Sequence, residues 1–170
     1  MTSTTVQVHR VYIKAKPQAI FEAITKPEWT EKYGYGGYFE SEPRAGSPYR
    51  IMADEQMKKS ALENGFEVPD VVIDGEVVEL DPPHKLVLTW RMAMDPTAAA
   101  EGFTRLTYEI DEVEGGYARL TVIHDLTGAP TVAAQTAGDG EAHPHQGGGG
   151  WPWVLSDLKS LLETGTALSR

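Results

Sequence analysis

The 170-residue chain contains no cysteine. That excludes disulfides, thiolate nucleophiles and cysteine zinc sites, and it fits a cytoplasmic location. It is short of positive charge: 15 Lys and Arg stand against 25 Asp and Glu, a formal net charge of −10. Such a balance argues against nucleic acid or an anionic membrane as partner. No apolar run approaches the length of a membrane-spanning helix. The first ten residues, Met1 to Arg10, have no basic start followed by an apolar stretch, so no signal peptide is expected. No internal repeat, dinucleotide fingerprint or phosphate-binding loop is present; after Gly147-Gly148-Gly149-Gly150 no lysine-serine pair follows. Ser156 has no histidine at a predictable distance, so no nucleophile constellation is evident. The hydrophobic share of 41% and the length suit one domain spanning residues 1–170.

What is present is organised around the last stretch. Trp151, Leu155, Leu158 and Leu162 fall at i, i+4, i+7 and i+11, an apolar stripe along a helix that Gly165 stops. Before it the chain reads mainly as strands. His9, Val11 and Ile13 alternate with polar neighbours; Pro17 then opens a helix with Ile20, Phe21 and Ile24 on its inner face. A second short helix is expected from Pro27 to about Tyr33, with Trp29 turned inward. Strands follow near Tyr38–Glu42 and Pro48–Met52. Asp54 to Asn64 reads as a capped helical insertion, either a lid or an ornamented loop. Four strands come next, over Val71–Leu80, Lys85–Met94, Phe103–Asp111 and Tyr117–Leu126. Their alternation gives one apolar and one polar face, as in an antiparallel sheet covered on one side. Gly128–Gly150, rich in glycine, alanine and threonine, reads as a mobile connection, with the four glycines as slack before the final helix. The class is α+β: a curved antiparallel sheet wrapped around a long C-terminal helix, with two short helices after the first strand.

A bent sheet cannot follow a straight helix throughout, so a hollow is expected between them. Trp90, Met92, Tyr108, Trp151, Leu155 and Leu158 are the expected lining, with an ordinary core as the alternative. His124 lies in phase with Leu120 and Val122 and points into the apolar side. It is the candidate catalytic and ligand-binding residue, suited to act as a general base or to hydrogen-bond a carbonyl or phenol. The alternative is a histidine satisfied within the core. Asp125 cannot orient it, because adjacent strand residues face opposite ways. His143 and His145 lack the third and fourth ligands of a metal site, so no metal is expected, and no cofactor.

Several segments resemble a known family. They are Ile20-Phe21-Glu22-Ala23-Ile24-Thr25-Lys26-Pro27-Glu28, Gly75 through Trp90 with Asp81-Pro82-Pro83-His84-Lys85, Thr104-Arg105-Leu106-Thr107-Tyr108, and Trp151-Pro152-Trp153-Val154-Leu155-Ser156-Asp157-Leu158-Lys159. The resemblance is to the SRPBCC superfamily, with its START-like helix-grip fold, in the branch named after the activator of the heat-shock chaperone ATPase. It implies an internal cavity for a lipid, polyketide or other apolar molecule. Some members are cyclases or dehydratases, and no catalytic set is shared. The expected function is therefore binding, with or without conversion, of a hydrophobic or aromatic small molecule, by cofactor-free acid-base chemistry if it is turned over. Alternatives are a chaperone-partner role and sequestration of a toxic metabolite. A homodimer is compatible with the sequence.

Overall fold

The computed structural model describes residues 5–144 and 147–168. Strand β1 (Val6–Ile13) pairs antiparallel with β7 (Tyr117–Asp125), Val6 opposite Asp125 and Ile13 opposite Ala118. Helix α1 (Pro17–Thr25) starts on a proline and buries Ile20, Phe21 and Ile24. It stops at Lys26, held extended because Pro27 follows. Helix α2 (Pro27–Thr30) is a single turn, shorter than the Pro27–Tyr33 expectation; positive-φ Gly34, Gly36 and Gly37 take over after it. Trp29 does pack against the core.

The helices α1 and α2 carry the chain from one edge of the sheet to the other. There β2 (Tyr38–Ser41) and β3 (Pro48–Met52) begin a meander that returns through β4 (Val71–Asp81), β5 (Lys85–Met92) and β6 (Thr104–Val113) to β7. The seven strands lie in the order β1-β7-β6-β5-β4-β3-β2, each antiparallel to its neighbours. Register shifts between Ile51 and Met52 and between Val77 and Glu79 add twist where the sheet curls. Its concave face and the helices enclose Ile13, Ile20, Leu86, Leu106, Ile110, Leu120 and Val122, all fully buried.

Two helices interrupt the meander and a third follows it. The insertion forms α3 (Glu55–Glu63), capped by Asp54 as its sequence implies. Between β5 and β6 lies α4 (Pro96–Ala100), which strand alternation alone does not announce. The third, α5 (Pro130–Thr136), sits inside the stretch expected to be a mobile connection.

The described part of that stretch is built rather than slack. Pro130 opens α5, and Glu101, just after α4, caps it by accepting N–H bonds from Thr131 and Val132 at 2.9 and 3.1 Å. Asp95 accepts a bond from Gln135 at 2.7 Å, and Val132 and Thr136 are buried. The glycines serve close packing: a Cβ at Gly148 would run into the Ala142 carbonyl, and Gly150 has φ +53 against the Thr136 carbonyl. Helix α6 (Gly150–Thr164) then runs across the concave face and ends at Gly165, left-handed at φ 83 with its N–H on the Leu161 carbonyl. Its buried stripe holds Trp151, Leu155, Leu158 and Leu161, with the expected Leu162 only partly buried.

Candidate functional site

Strands β5, β6 and β7 bring the anticipated residues together beneath the start of α6. His124 on β7 stands opposite Leu106 on β6, so Thr104 is its diagonal neighbour, and Thr104 in turn stands opposite Trp90 on β5. His124 is 0% exposed. The Trp151 indole N–H donates to its Nδ1 at 3.2 Å. An indole nitrogen can only donate, so the imidazole proton of the neutral ring sits on Nε2. That N–H donates to Thr104 Oγ1 at 2.7 Å, and the Thr104 hydroxyl donates to the Trp90 carbonyl at 3.0 Å. The run of bonds from Trp151 through His124 and Thr104 to Trp90 is complete in one direction. Burial, helped by repulsion from His9, lowers the His124 pKa to about 4, which keeps it neutral at pH 7.

Aromatic rings fill the space around this run. Trp90 and Trp151 meet His124 edge-on with centroids at 5.1 and 5.9 Å, and Tyr108 meets Trp151 at 6.1 Å. Such perpendicular pairs are favourable packing. Leu155 and Leu158 are buried in the same core, and Met92 and Tyr108 pack partly buried against it. All seven anticipated residues are therefore neighbours of one interior. Its histidine has both nitrogens engaged by protein groups, leaving neither for a ligand. Asp125 faces away and accepts bonds from Thr127, as strand alternation requires.

Open space lies at the other end of α6. A cleft of about 680 Å³ separates the end of α6 and the segment after it from the turn after α2, β2 and the first turn of α3. Its floor is Ala53, Leu161 and Ala167, each under a tenth exposed, with half-buried Tyr38 beside them. Lys32 and Lys58 stand at the rim. The Lys32 ammonium lies 4.8 Å from the centre of the Trp29 ring, and Lys58 pairs with Asp70 at 2.9 Å. The bond to Asp70 raises the Lys58 pKa. None of the seven anticipated residues lines this cleft. The sequence did carry signals for it: Leu161 lies one turn beyond Leu158, and Asp54–Asn64 was the lid candidate.

The tyrosine-glycine stretch before β2 divides its tasks. The Tyr33 hydroxyl is buried and donates to the Ala23 carbonyl, and burial raises its pKa. Tyr35 accepts from Gly150 N–H and donates to the Pro144 carbonyl, tying this stretch to the start of α6. Tyr38 alone of the three reaches the cleft. Nearby Asp157 on α6 is 0% exposed and accepts N–H bonds from Gly34 and Leu168. The sequence reading missed it, although a carboxylate between Val154 and Leu161 on the helical face they share is a usable signal. Among the described residues, no three His, Cys, Asp or Glu side chains gather in a way that could hold a metal ion; His145 lies outside the described residues. No helix among them is long and apolar enough to cross a membrane.

Residues 14–163 match the family model for Activator of Hsp90 ATPase homolog 1-like protein. The chain belongs to this family. Among solved structures it is similar to protein MLL2253 from Mesorhizobium loti, with 21% identity, TM-score 0.64, and coverage of 93% of this chain and 96% of the other. It is also similar to the Aha1 dimer from Colwellia psychrerythraea, with 18% identity, TM-score 0.58, and coverage of 95% and 98%. A third is DynU16 of the dynemicin biosynthetic locus, with 18% identity and TM-score 0.63; 95% of this chain matches 48% of that one. At these identities the likeness establishes the helix-grip fold. No curated protein matches the chain.

Proposed function

We propose that this family member binds a hydrophobic or aromatic small molecule, polyketide- or lipid-like, in the cleft at the C-terminal end of α6. The observation that carries the reading is the cleft itself. Its volume of about 680 Å³ lies within the usual range for ligand pockets, and an apolar floor meets a charged rim. The interior around His124 is the less favoured seat, since its hydrogen bonds are spent within the protein. Its role in this reading is to hold α6 on the sheet. The location of DynU16 in a biosynthetic locus agrees with a small-molecule role.

The test is a native mass spectrum of protein purified from its own host, followed by amide and methyl shift mapping with the retained compound. Shifts centred on Leu161, Ala167 and Tyr38 are expected. Shifts centred on the Trp90 and Trp151 indoles would move the seat to the interior, and a ligand-free protein would remove the reading.

A chaperone-partner role is the second reading. The family name favours it, as do Leu62 and Phe66, which stand 63% and 59% exposed on and just beyond α3. Co-purification of an Hsp90-type chaperone that is lost in Leu62→Ser/Phe66→Ser protein would support it. The Aha1 dimer suggests a homodimer for this chain too, which light scattering would decide.

A further inference from the structure

Two carboxylates face the loop between α2 and β2, and they do the same thing. Asp157 accepts the Gly34 N–H on one oxygen at 2.7 Å and the Leu168 N–H on the other at 2.6 Å. Asp54 accepts the Gly37 N–H on one oxygen at 2.7 Å and the Met57 N–H on the other, also at 2.7 Å. Each carboxylate thus has one oxygen on the loop and one on a wall of the cleft. Leu168 follows Thr166 and Ala167, which line one wall, and Met57 lies in the first turn of α3, the opposite wall.

The loop is packed closely between them, and a Cβ at Gly34 would already touch the Val154 side chain. Gly34 and Gly37 have φ of +64 and +82, which other residues adopt only with strain. A Cβ at Gly37 would collide with the Ile51 side chain and the Met52 carbonyl. Besides these bonds, α3 is tied by Lys58 to Asp70 at 2.9 Å. Ala61 is the one buried residue of α3, and the segment after α6 relies on Ala167 and on hydroxyl bonds from Ser160 and Thr164 to the Thr166 carbonyl.

We infer that the Gly34–Gly37 loop couples the two walls, and that Asp54 and Asp157 are positioning residues that set the width of the cleft through it. A bond to a carboxylate is stronger than one between neutral groups, and with Gly37 packed against Ile51 and the Met52 carbonyl the loop has little room to take up a displacement of either wall. Loosening one wall then loosens the other, and closing the cleft on a ligand orders both. The inference rests on the cleft as the ligand seat, but its mechanical content can be tested without a ligand.

Asp54→Ser separates the two functions of Asp54. Serine still caps α3 through Met57, but its single oxygen cannot also hold Gly37. Amide hydrogen exchange of the full chain is the first readout. Coupling predicts that Leu168 and Thr166, on the far wall, lose about tenfold in protection while Met57 stays protected, the factor expected from one charge-assisted bond. Unchanged protection at Leu168 and Thr166 would overturn the coupling and leave the cleft reading intact. The second readout is saturable binding of 8-anilinonaphthalene-1-sulfonate, an aromatic probe, by wild-type protein and by Ala167→Trp, which fills the floor. Binding that Ala167→Trp abolishes and Asp54→Ser weakens several-fold is expected. Binding to wild type that Ala167→Trp leaves untouched would count against the cleft reading, and equal affinity in Asp54→Ser would count against the coupling.

Discussion

The two ends of α6 carry the same kind of stripe and solve different problems. At the N-terminal end, Trp151 meets a histidine whose second nitrogen meets Thr104, and aromatic edges close the remaining space. At the C-terminal end, Leu161 faces a cleft of about 680 Å³ between two walls. The comparison teaches that a polar group on an apolar face can complete a core. Once His124 has a donor and an acceptor in the protein, the space around it can close. At the open end the buried polar group is Asp157, and it and Asp54 spend their oxygens on backbone N–H groups of the loop and the two walls, which ties those segments together without filling the space between them.

The sharpest way to break the comparison is His124→Phe. It leaves the Trp151 indole N–H without an acceptor inside the core, at about 1–3 kcal/mol, while the Thr104 hydroxyl keeps the Trp90 carbonyl and loses only the bond it accepts. A loss of about 3 kcal/mol in unfolding free energy is expected by urea titration, with probe binding at the cleft unchanged. Lost binding at unchanged stability would restore His124 as a ligand contact.

Acidification should have an effect of similar size. The folded pKa of His124 lies at about 4, below the ordinary 6.5, so between those values the unfolded chain binds the proton and the folded one does not. Stability therefore falls as pH drops from about 6.5 toward 4, by up to about 3 kcal/mol from this group. Urea midpoints at pH 7, 5.5 and 4.5 check it, and His124→Phe should flatten the part of the slope due to this residue.

At the open end, Leu161→Trp should reduce ligand affinity by tenfold or more, equivalent to about 1.4 kcal/mol. Stability should change by less than about 1 kcal/mol, since the added ring has the cleft to enter. Titration of the retained compound against both proteins measures it. The smallest expected effect is that of Glu101→Ala, which uncaps α5. A loss of about 1 kcal/mol is expected, with faster amide exchange confined to Thr131 and Val132. Exchange there that is already fast in the wild type would return this segment to the mobile connection its composition suggests.

The strands and α6 were legible because their cause is periodic: apolar residues at every second position, or at every third and fourth, must share a face. The proline starts and the Gly165 stop were readable for equally local reasons. The order in Pro130–Thr136 was not, because its cap comes from Glu101 and its anchor from Asp95, far away in sequence. The same holds for the candidate site. Phase alone placed His124 on the inner face, but whether that face is hollow depends on how far Trp151 reaches across from α6.

The sequence by itself determined the α+β class, the curved sheet under a C-terminal helix, and which residues face inward, since these follow from alternation, helical spacing and backbone restriction at proline and glycine. Only the tertiary structure decided where space is left. Packing is a sum over side chains brought together from distant strands, and Trp151, reaching from α6, puts its indole N–H on His124 Nδ1 where open space was expected. It likewise decided that Asp54 and Asp157, 103 positions apart by their residue numbers, hold the same loop, a relation that no local pattern encodes.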